Sequence, residues 1–120
     1  MAHFRFLLAA LSVFVTRSYA ANIFVSHYTG TITTLSFSPV TNELAVIGSL
    51  TIGGQPSWMH WDPVGRVIYT SDETTFGTAT LNAVSAGPMG GLSSYGKTTT
   101  RGGGVACVTY GNEGYVAIAH

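Results

Sequence analysis

Three ionisable residues recur at matching places in the sequence, each directly after a short run of β-branched and aromatic residues. They are His27, Asp72 and His120, separated by steps of 45 and 48 residues. Imidazole and carboxylate groups carry out most general acid–base chemistry near neutral pH. Because regular recurrence indicates equivalent places in a repeated unit, all three are predicted to line one pocket. The alternative, strongest for Asp72, is a turn role in which the side chain caps the local backbone.

Other reactive side chains give weaker signals. Asp72 and Glu73 are adjacent, so on a strand their side chains face opposite sides and need not share a proton. His60 lies between two apolar residues and is predicted to be structural or solvent-facing. The histidines lack the short spacing of metal ligands, so no metal site is predicted. The single cysteine, Cys107, lies in an apolar strand and is predicted to be a buried, inert thiol.

Two arginines and the serines give no reactive motif. Arg66 follows a Pro-x-Gly turn and is predicted to be a solvated hairpin residue. Arg101 precedes the glycines at 102–104, but this segment lacks the Lys-Ser/Thr of a phosphate-binding loop and no helix is predicted after it. A Gly-x-Ser-x-Gly nucleophile motif does not occur. The sequence therefore assigns no catalytic residue.

Short strands must position these residues. After residue 21 no apolar stripe at helical spacing extends over three turns, whereas β-branched and aromatic runs alternate with Gly, Pro and Asn. Turns are predicted at Tyr28-Thr29-Gly30 and at Asp62-Pro63-Val64-Gly65. The predicted strands cover 23–26, 31–38, 44–52, 58–61 and 67–71. The predicted fold class is all-β.

The same order of elements occurs twice in the sequence. The matched segments are 68–72 with 23–27 at an offset of 45, 77–81 with 30–34 at an offset of 47, and Gly114 with Gly65 at an offset of 49. A unit of 45 to 49 residues with about four short strands has the size of one β-propeller blade. The repeat therefore predicts a β-propeller, with a small self-contained β-sandwich as the alternative.

Two blades are predicted, near 21–66 and 67–120. They cannot close a ring that takes about four to eight blades. We therefore expect the chain to be the N-terminal portion of a longer propeller or a truncated gene product. Unpaired blade edges would make such a portion prone to associate with other chains.

The first twenty residues have the pattern of an export signal. A short region with one Arg and one His precedes the apolar run 6–15, and Ser18 and Ala20 are small residues at the −3 and −1 places before Ala21. Residues 1–20 are predicted to be a helical signal peptide, so the mature protein is predicted to be secreted, with no stable membrane span. The alternatives are a transmembrane helix and a buried N-terminal helix, but an apolar core of about ten residues is too short to span about 30 Å.

Composition argues against two function classes. Of the 120 residues, 46% are hydrophobic and 8% are charged, with five Lys+Arg and five Asp+Glu. A nucleic-acid-binding module needs a basic face, which this balance does not provide. The apolar content argues against a disordered tail. Loss of Arg5 and Arg17 with the signal peptide leaves three basic and five acidic residues, a net charge of −2.

Three longer segments carry a resemblance to a known family. They are 23–37 (IFVSHYTGTITTLSF), 55–73 (QPSWMHWDPVGRVIYTSDE) and 102–120 (GGGVACVTYGNEGYVAIAH). The first resembles the opening strand and Tyr-Thr-Gly turn of the lactonase family of seven-bladed β-propellers. The second resembles the recurrent blade motif of that family, and the third its next blade. The family includes 6-phosphogluconolactonases and fungal carboxy-cis,cis-muconate cyclases, also called cycloisomerases.

The resemblance implies an activity for the full-length protein. That activity is lactone hydrolysis of the 6-phosphogluconolactonase type or muconate lactonisation, on a small lactone or carboxylate substrate and without a nicotinamide or flavin cofactor. Both reactions imply a pocket at the central channel, for which His27, Asp72 and His120 are the candidates.

The sequence also departs from the family pattern. A Pro-x-His step common in the second blade is replaced by Val105-Ala106-Cys107. The proposed catalytic His, Arg and Glu of the family are expected in later blades. The alternative function is therefore that of a catalytically inactive propeller fragment, serving as a binding or interaction module.

Overall fold

The computed structural model describes residues 20–111 and 114–120, so the predicted signal peptide, apart from Ala20, lies outside the described residues. Every regular element in the described part of the chain is a β-strand, and no helix there is long and apolar enough to cross a membrane. The strands are β1 (Ala21–His27), β2 (Thr31–Ser38), β3 (Glu43–Thr51), β4 (Pro56–Asp62), β5 (Val67–Asp72), β6 (Thr78–Ala86), β7 (Leu92–Arg101), β8 (Ala106–Tyr110) and β9 (Tyr115–Ala119).

These strands form three antiparallel sheets. The first sheet has the order β1-β2-β3, the second β4-β5-β6-β7 and the third β8-β9. Within each sheet, every strand pairs with the next one along the chain, as expected for short strands joined by tight turns. A four-stranded sheet of this kind is one propeller blade. The described residues therefore comprise one four-stranded blade and parts of its two neighbours, and the all-β prediction is confirmed.

The sheets are offset by one strand from the predicted units. The predicted division between 21–66 and 67–120 falls at the hairpin between β4 and β5, yet these strands pair along their length, from Pro56 opposite Asp72 to Asp62 opposite Val67. The repeat begins at β1 and β5, whereas the four-stranded sheet begins at β4. Sequence similarity gives the length of the repeated unit. It does not show which strand of that unit is the first strand of a sheet.

The inner strands of the sheets are β4 and β8. Each is the first strand of its sheet, and β4 packs against β8 on one side and against β1 on the other. Blades converge toward the axis of a propeller, so the first strands of neighbouring sheets come closest. His27, Asp72 and His120 do not follow β4 or β8. They follow β1, β5 and β9, which occupy the second place in the blade pattern.

The apolar core lies between the first and second sheets. Ile32 of β2 packs with Ile68 of β5 and Val84 of β6, and all three side chains are buried. Alternation along the strands directs one face of each sheet toward this interface. Complete burial of one such side chain contributes about 1.5–3 kcal/mol to stability. This packing joins the first sheet to the second. The candidate functional residues lie at the two ends of the strands in these sheets.

Candidate functional site

The three predicted site residues lie at the same end of the strands. His27 is the last residue of β1, Asp72 is the last residue of β5, and His120 directly follows β9. The inner strand β4 begins at this end, because Pro56 lies opposite Asp72. The internal repeat thus located equivalent positions, whereas a shared pocket for all three remains a prediction.

Asp72 is a buried carboxylate that organises the surrounding loops. Its side chain and backbone are only 4% exposed. Oδ1 accepts hydrogen bonds from the Gln55 N–H at 2.8 Å, the Thr74 N–H at 3.0 Å and the Thr74 hydroxyl at 2.6 Å. Oδ2 accepts from the Thr80 N–H at 3.2 Å. These bonds correspond to the turn role that was the alternative prediction for Asp72.

The hydrogen bonds around Asp72 keep it ionised. Burial raises the pKa of this carboxyl group, but the Thr74 hydroxyl and the N–H groups of Gln55, Thr74 and Thr80 stabilise the charged form and lower it. The net pKa lies below the ordinary value of 3.8. A carboxylate that is charged at neutral pH and surrounded by donors is suited to hold loops in place rather than to transfer protons.

Gly54 allows the loop before β4 to approach this carboxylate. Its backbone has a φ of +67°, which favours glycine. A Cβ atom at residue 54 would overlap the carboxylate of Asp72. The shape of this loop is therefore set by the close approach of its backbone to a buried acid.

His27 combines a turn contact with access to solvent. The side chain is exposed, and Nδ1 accepts a hydrogen bond from the Thr29 N–H at 3.1 Å. The Thr29 hydroxyl lies 3.0 Å from the same nitrogen. Because Nδ1 is an acceptor here, the neutral ring carries its proton on Nε2 and can donate a hydrogen bond from that atom.

A groove of about 260 Å³ lies beside His27. It is lined by Ser26, His27, Tyr28, Pro56 and Ser57, so it runs between the end of β1 and the start of the inner strand β4. Of the three predicted site residues, His27 is the one placed on this groove.

Tyr28 and Glu73 connect the loops of two neighbouring sheets. The Tyr28 hydroxyl donates a hydrogen bond of 2.6 Å to Oε2 of Glu73. This hydrogen bond, then the negative charge of Glu73 and then burial raise the pKa of Tyr28, so the phenol stays protonated. Tyr28 is not among the site residues predicted from the sequence. Its separation of 45 residues from Glu73 is the signal that could have found the pair, since His27 and Asp72 have the same spacing.

The remaining candidates have structural contacts. His120 lies with Nδ1 3.2 Å from the Gly102 carbonyl oxygen, which can accept a hydrogen bond from it. His60 lies with Nε2 2.7 Å from the Thr109 hydroxyl and so joins β4 to β8. Cys107 is buried, as predicted. Burial raises the pKa of its thiol, and hydrogen bonds with the backbone lower that pKa by a smaller amount. Within the described ranges, no group of three or more His, Cys, Asp or Glu residues could hold a metal ion.

Comparison with known proteins decides the family. A family model described as lactonase, 7-bladed beta-propeller, matches residues 22–120. The chain belongs to the lactonase family of seven-bladed β-propellers. No curated protein and no solved structure matches it significantly. The resemblance found in the sequence is confirmed, and the nine strands form part of a lactonase propeller.

The groove beside His27 offers hydrogen-bond donors. Nε2–H of His27 and the hydroxyl of Ser57 are available to a polar ligand, since the described contact of Ser57 is a long one of 3.4 Å to the Gly104 carbonyl oxygen. Donors of this kind can hold a carbonyl or carboxylate oxygen. With its proton on Nε2, His27 is not arranged to remove a proton from water at that atom.

Proposed function

We propose that the chain is part of a secreted lactonase that acts on a small lactone or carboxylate at the end of the propeller where β1 and β5 end. The reaction is lactone hydrolysis of the 6-phosphogluconolactonase type or muconate lactonisation by a cycloisomerase, without a nicotinamide or flavin cofactor. The family match over residues 22–120 is the observation that carries this proposal. The groove beside His27 supports the location, because it opens between the first sheet and the inner strand β4.

Each reaction needs groups of two kinds. Hydrolysis needs a base that activates water and a donor that stabilises the developing oxyanion. Lactonisation of a muconate needs cationic groups that hold the carboxylates and an acid that protonates the carbanion. In this proposal His27 donates from Nε2 to a substrate oxygen, and Asp72 keeps the adjacent loop in shape. The base and the reacting cations come from other blades.

The role of His27 can be separated from its turn contact. Asn in place of His27 can still accept from the Thr29 N–H, as in an Asx turn, whereas Ala cannot. We expect both His27→Asn and His27→Ala to raise KM by about five- to tenfold in the longer gene product, because each loses one hydrogen bond of about 1 kcal/mol to the substrate. Hydrolysis is measured by the release of protons, and lactonisation is measured by the loss of absorbance from the diene. A wild-type KM in His27→Asn would show that the imidazole only caps the turn.

A second candidate function is that of a catalytically inactive interaction module. On the face of the first sheet opposite the core, Ile23 and Val25 are each 43% exposed and Val46 is 70% exposed. Within the described strands, β1 pairs only with β2 and so has one open edge. Open edges and apolar faces favour association with another strand or sheet. Absence of turnover on both substrates, together with concentration-dependent association in ultracentrifugation, would favour this candidate.

A further inference from the structure

A second cleft lies at the opposite end of the strands, between the first and second sheets. It has a volume of about 300 Å³ and is lined by Asn22, Phe24, Trp61, Arg66, Ala86 and Gly87. Asn22 is near the start of β1, whereas the groove beside His27 is at its end. The two sites are thus separated by the length of a strand, and the inference from this cleft does not rest on the proposed function.

Two aromatic rings form one wall of the cleft. Phe24 of β1 and Trp61 of β4 stack with their centroids 6.3 Å apart and their planes 29° apart. Trp61 is still 39% exposed. Exposed aromatic faces attract planar ring systems through offset stacking and burial of apolar area. This wall therefore favours a ligand that contains an aromatic ring.

Arg66 supplies the positive charge of the cleft. Its Nε donates a hydrogen bond of 3.2 Å to the Ala86 carbonyl oxygen, which orients the guanidinium group. Among the described residues the guanidinium group of Arg66 makes no other hydrogen bond and no ion pair, so both terminal NH₂ groups can serve a ligand. A guanidinium group binds a carboxylate with two parallel hydrogen bonds. No residue that lines the cleft carries a negative charge.

The backbone at Arg66 is held in an unfavourable conformation. Its φ is +53°, in the left-handed region that glycine and asparagine adopt more readily. For most other residues this conformation costs about 1 kcal/mol. An arginine at a turn position that suits glycine points to a use for the side chain beyond closing the hairpin.

We propose that this cleft binds a small aromatic monocarboxylate. The carboxylate lies on the guanidinium group of Arg66, and the ring lies against Phe24 and Trp61. Asn22 donates from Nδ2 to the Pro88 carbonyl oxygen at 3.3 Å, which leaves its Oδ1 able to accept from a hydroxyl group on the ring. A cavity of about 300 Å³ accommodates one substituted ring.

Benzoate is the probe, and Trp61 is the reporter. The chain has two tryptophans, Trp58 and Trp61, so Trp58→Phe leaves Trp61 as the single tryptophan. In this background we expect a saturable change in Trp61 emission with benzoate. Benzamide, which is planar but neutral, should bind about tenfold more weakly, because the charge-assisted bonds to Arg66 are lost.

Substitutions at residue 66 test the guanidinium group without disturbing the turn. Arg66→Asn suits the left-handed backbone, so the variant should melt at the wild-type temperature or above, while its affinity for benzoate falls about tenfold or more. Arg66→Lys keeps the charge and should lose less. Arg101→Asn is the matched control, because Arg101 is the last residue of β7 and does not line the cleft. This variant should bind benzoate as tightly as the parent does. Equal affinity in Arg66→Asn and the parent, equal affinity for benzamide and benzoate, or no saturable change would each overturn the proposal.

Discussion

Replacing Asp72 with alanine is expected to lower the free energy of unfolding by about 3–5 kcal/mol, because it removes the acceptor for several buried donors at once. The N–H groups of Gln55, Thr74 and Thr80 would lose their bonds to this side chain. Each buried donor left without a partner costs about 1–3 kcal/mol. Urea denaturation followed by circular dichroism measures the loss. An unfolded baseline without urea would also agree with the expectation.

Asp72→Asn is the matched control for shape. It retains one carbonyl oxygen but turns an NH₂ group toward donors that need an acceptor, so we expect an intermediate loss of about 2 kcal/mol. A loss below about 1 kcal/mol in Asp72→Ala would contradict the view that this carboxylate organises the loops.

The lowered pKa of Asp72 also predicts how stability depends on pH. The folded-state pKa lies below the ordinary value of 3.8, so the carboxylate stabilises the fold fully above pH 3.8. That stabilisation is lost as the pH falls through the lower folded-state pKa. The wild-type free energy of unfolding should therefore decline below pH 3.8, and Asp72→Asn should show a shallower decline. Parallel declines in the two proteins would contradict the assignment to Asp72.

Gly54→Ala is expected to cost about 3–4 kcal/mol through two physical causes. The first is the φ of +67°, which disfavours any residue with a Cβ atom. The second is overlap of the new methyl group with the Asp72 carboxylate, which must move away from its donors. Chemical denaturation again gives the free energy of unfolding.

Gly53 offers a control for the first cause alone. Its φ is +81°, but a Cβ atom at residue 53 would meet nothing within 4 Å in the described part of the chain, apart from residue 53 itself and its two chain neighbours. Gly53→Ala should therefore cost about 1 kcal/mol. Combining Gly54→Ala with Asp72→Ala should cost less than the sum of the single losses, because the overlap disappears with the carboxylate. Equal losses in Gly53→Ala and Gly54→Ala would rule out the steric contribution.

Local features of the fold were predictable because they depend on neighbouring residues. Alternation in 31–38 predicted β2 with its observed bounds, and the Asp62-Pro63-Val64-Gly65 turn predicted the hairpin between β4 and β5. The grouping of strands into sheets was not predictable in the same way. A repeat with offsets of 45 to 49 residues has the same period wherever the sheet begins, so the assignment of β4 as the first strand needed the three-dimensional structure.

The candidate site shows the same division. The repeat predicted the place of Asp72, but its contacts come from residues 55, 74 and 80, which are brought together only by folding. Arg66 is exposed, as the hairpin sequence predicted, but its place beside the cleft depends on contacts among β1, β4 and the Ala86 carbonyl group. A site between two sheets is built from residues that are distant in the sequence, so local sequence patterns do not predict its contacts.

Turnover by the purified 120-residue chain tests the central claim most directly. We propose that the described residues build and hold one end of a lactonase site, while the base and the reacting cations come from other blades. The chain alone should therefore hydrolyse 6-phosphogluconolactone and lactonise carboxymuconate no faster than its Asp72→Ala variant, which controls for contaminating activity. Turnover by the wild-type chain that exceeds that of the variant on either substrate would contradict the claim.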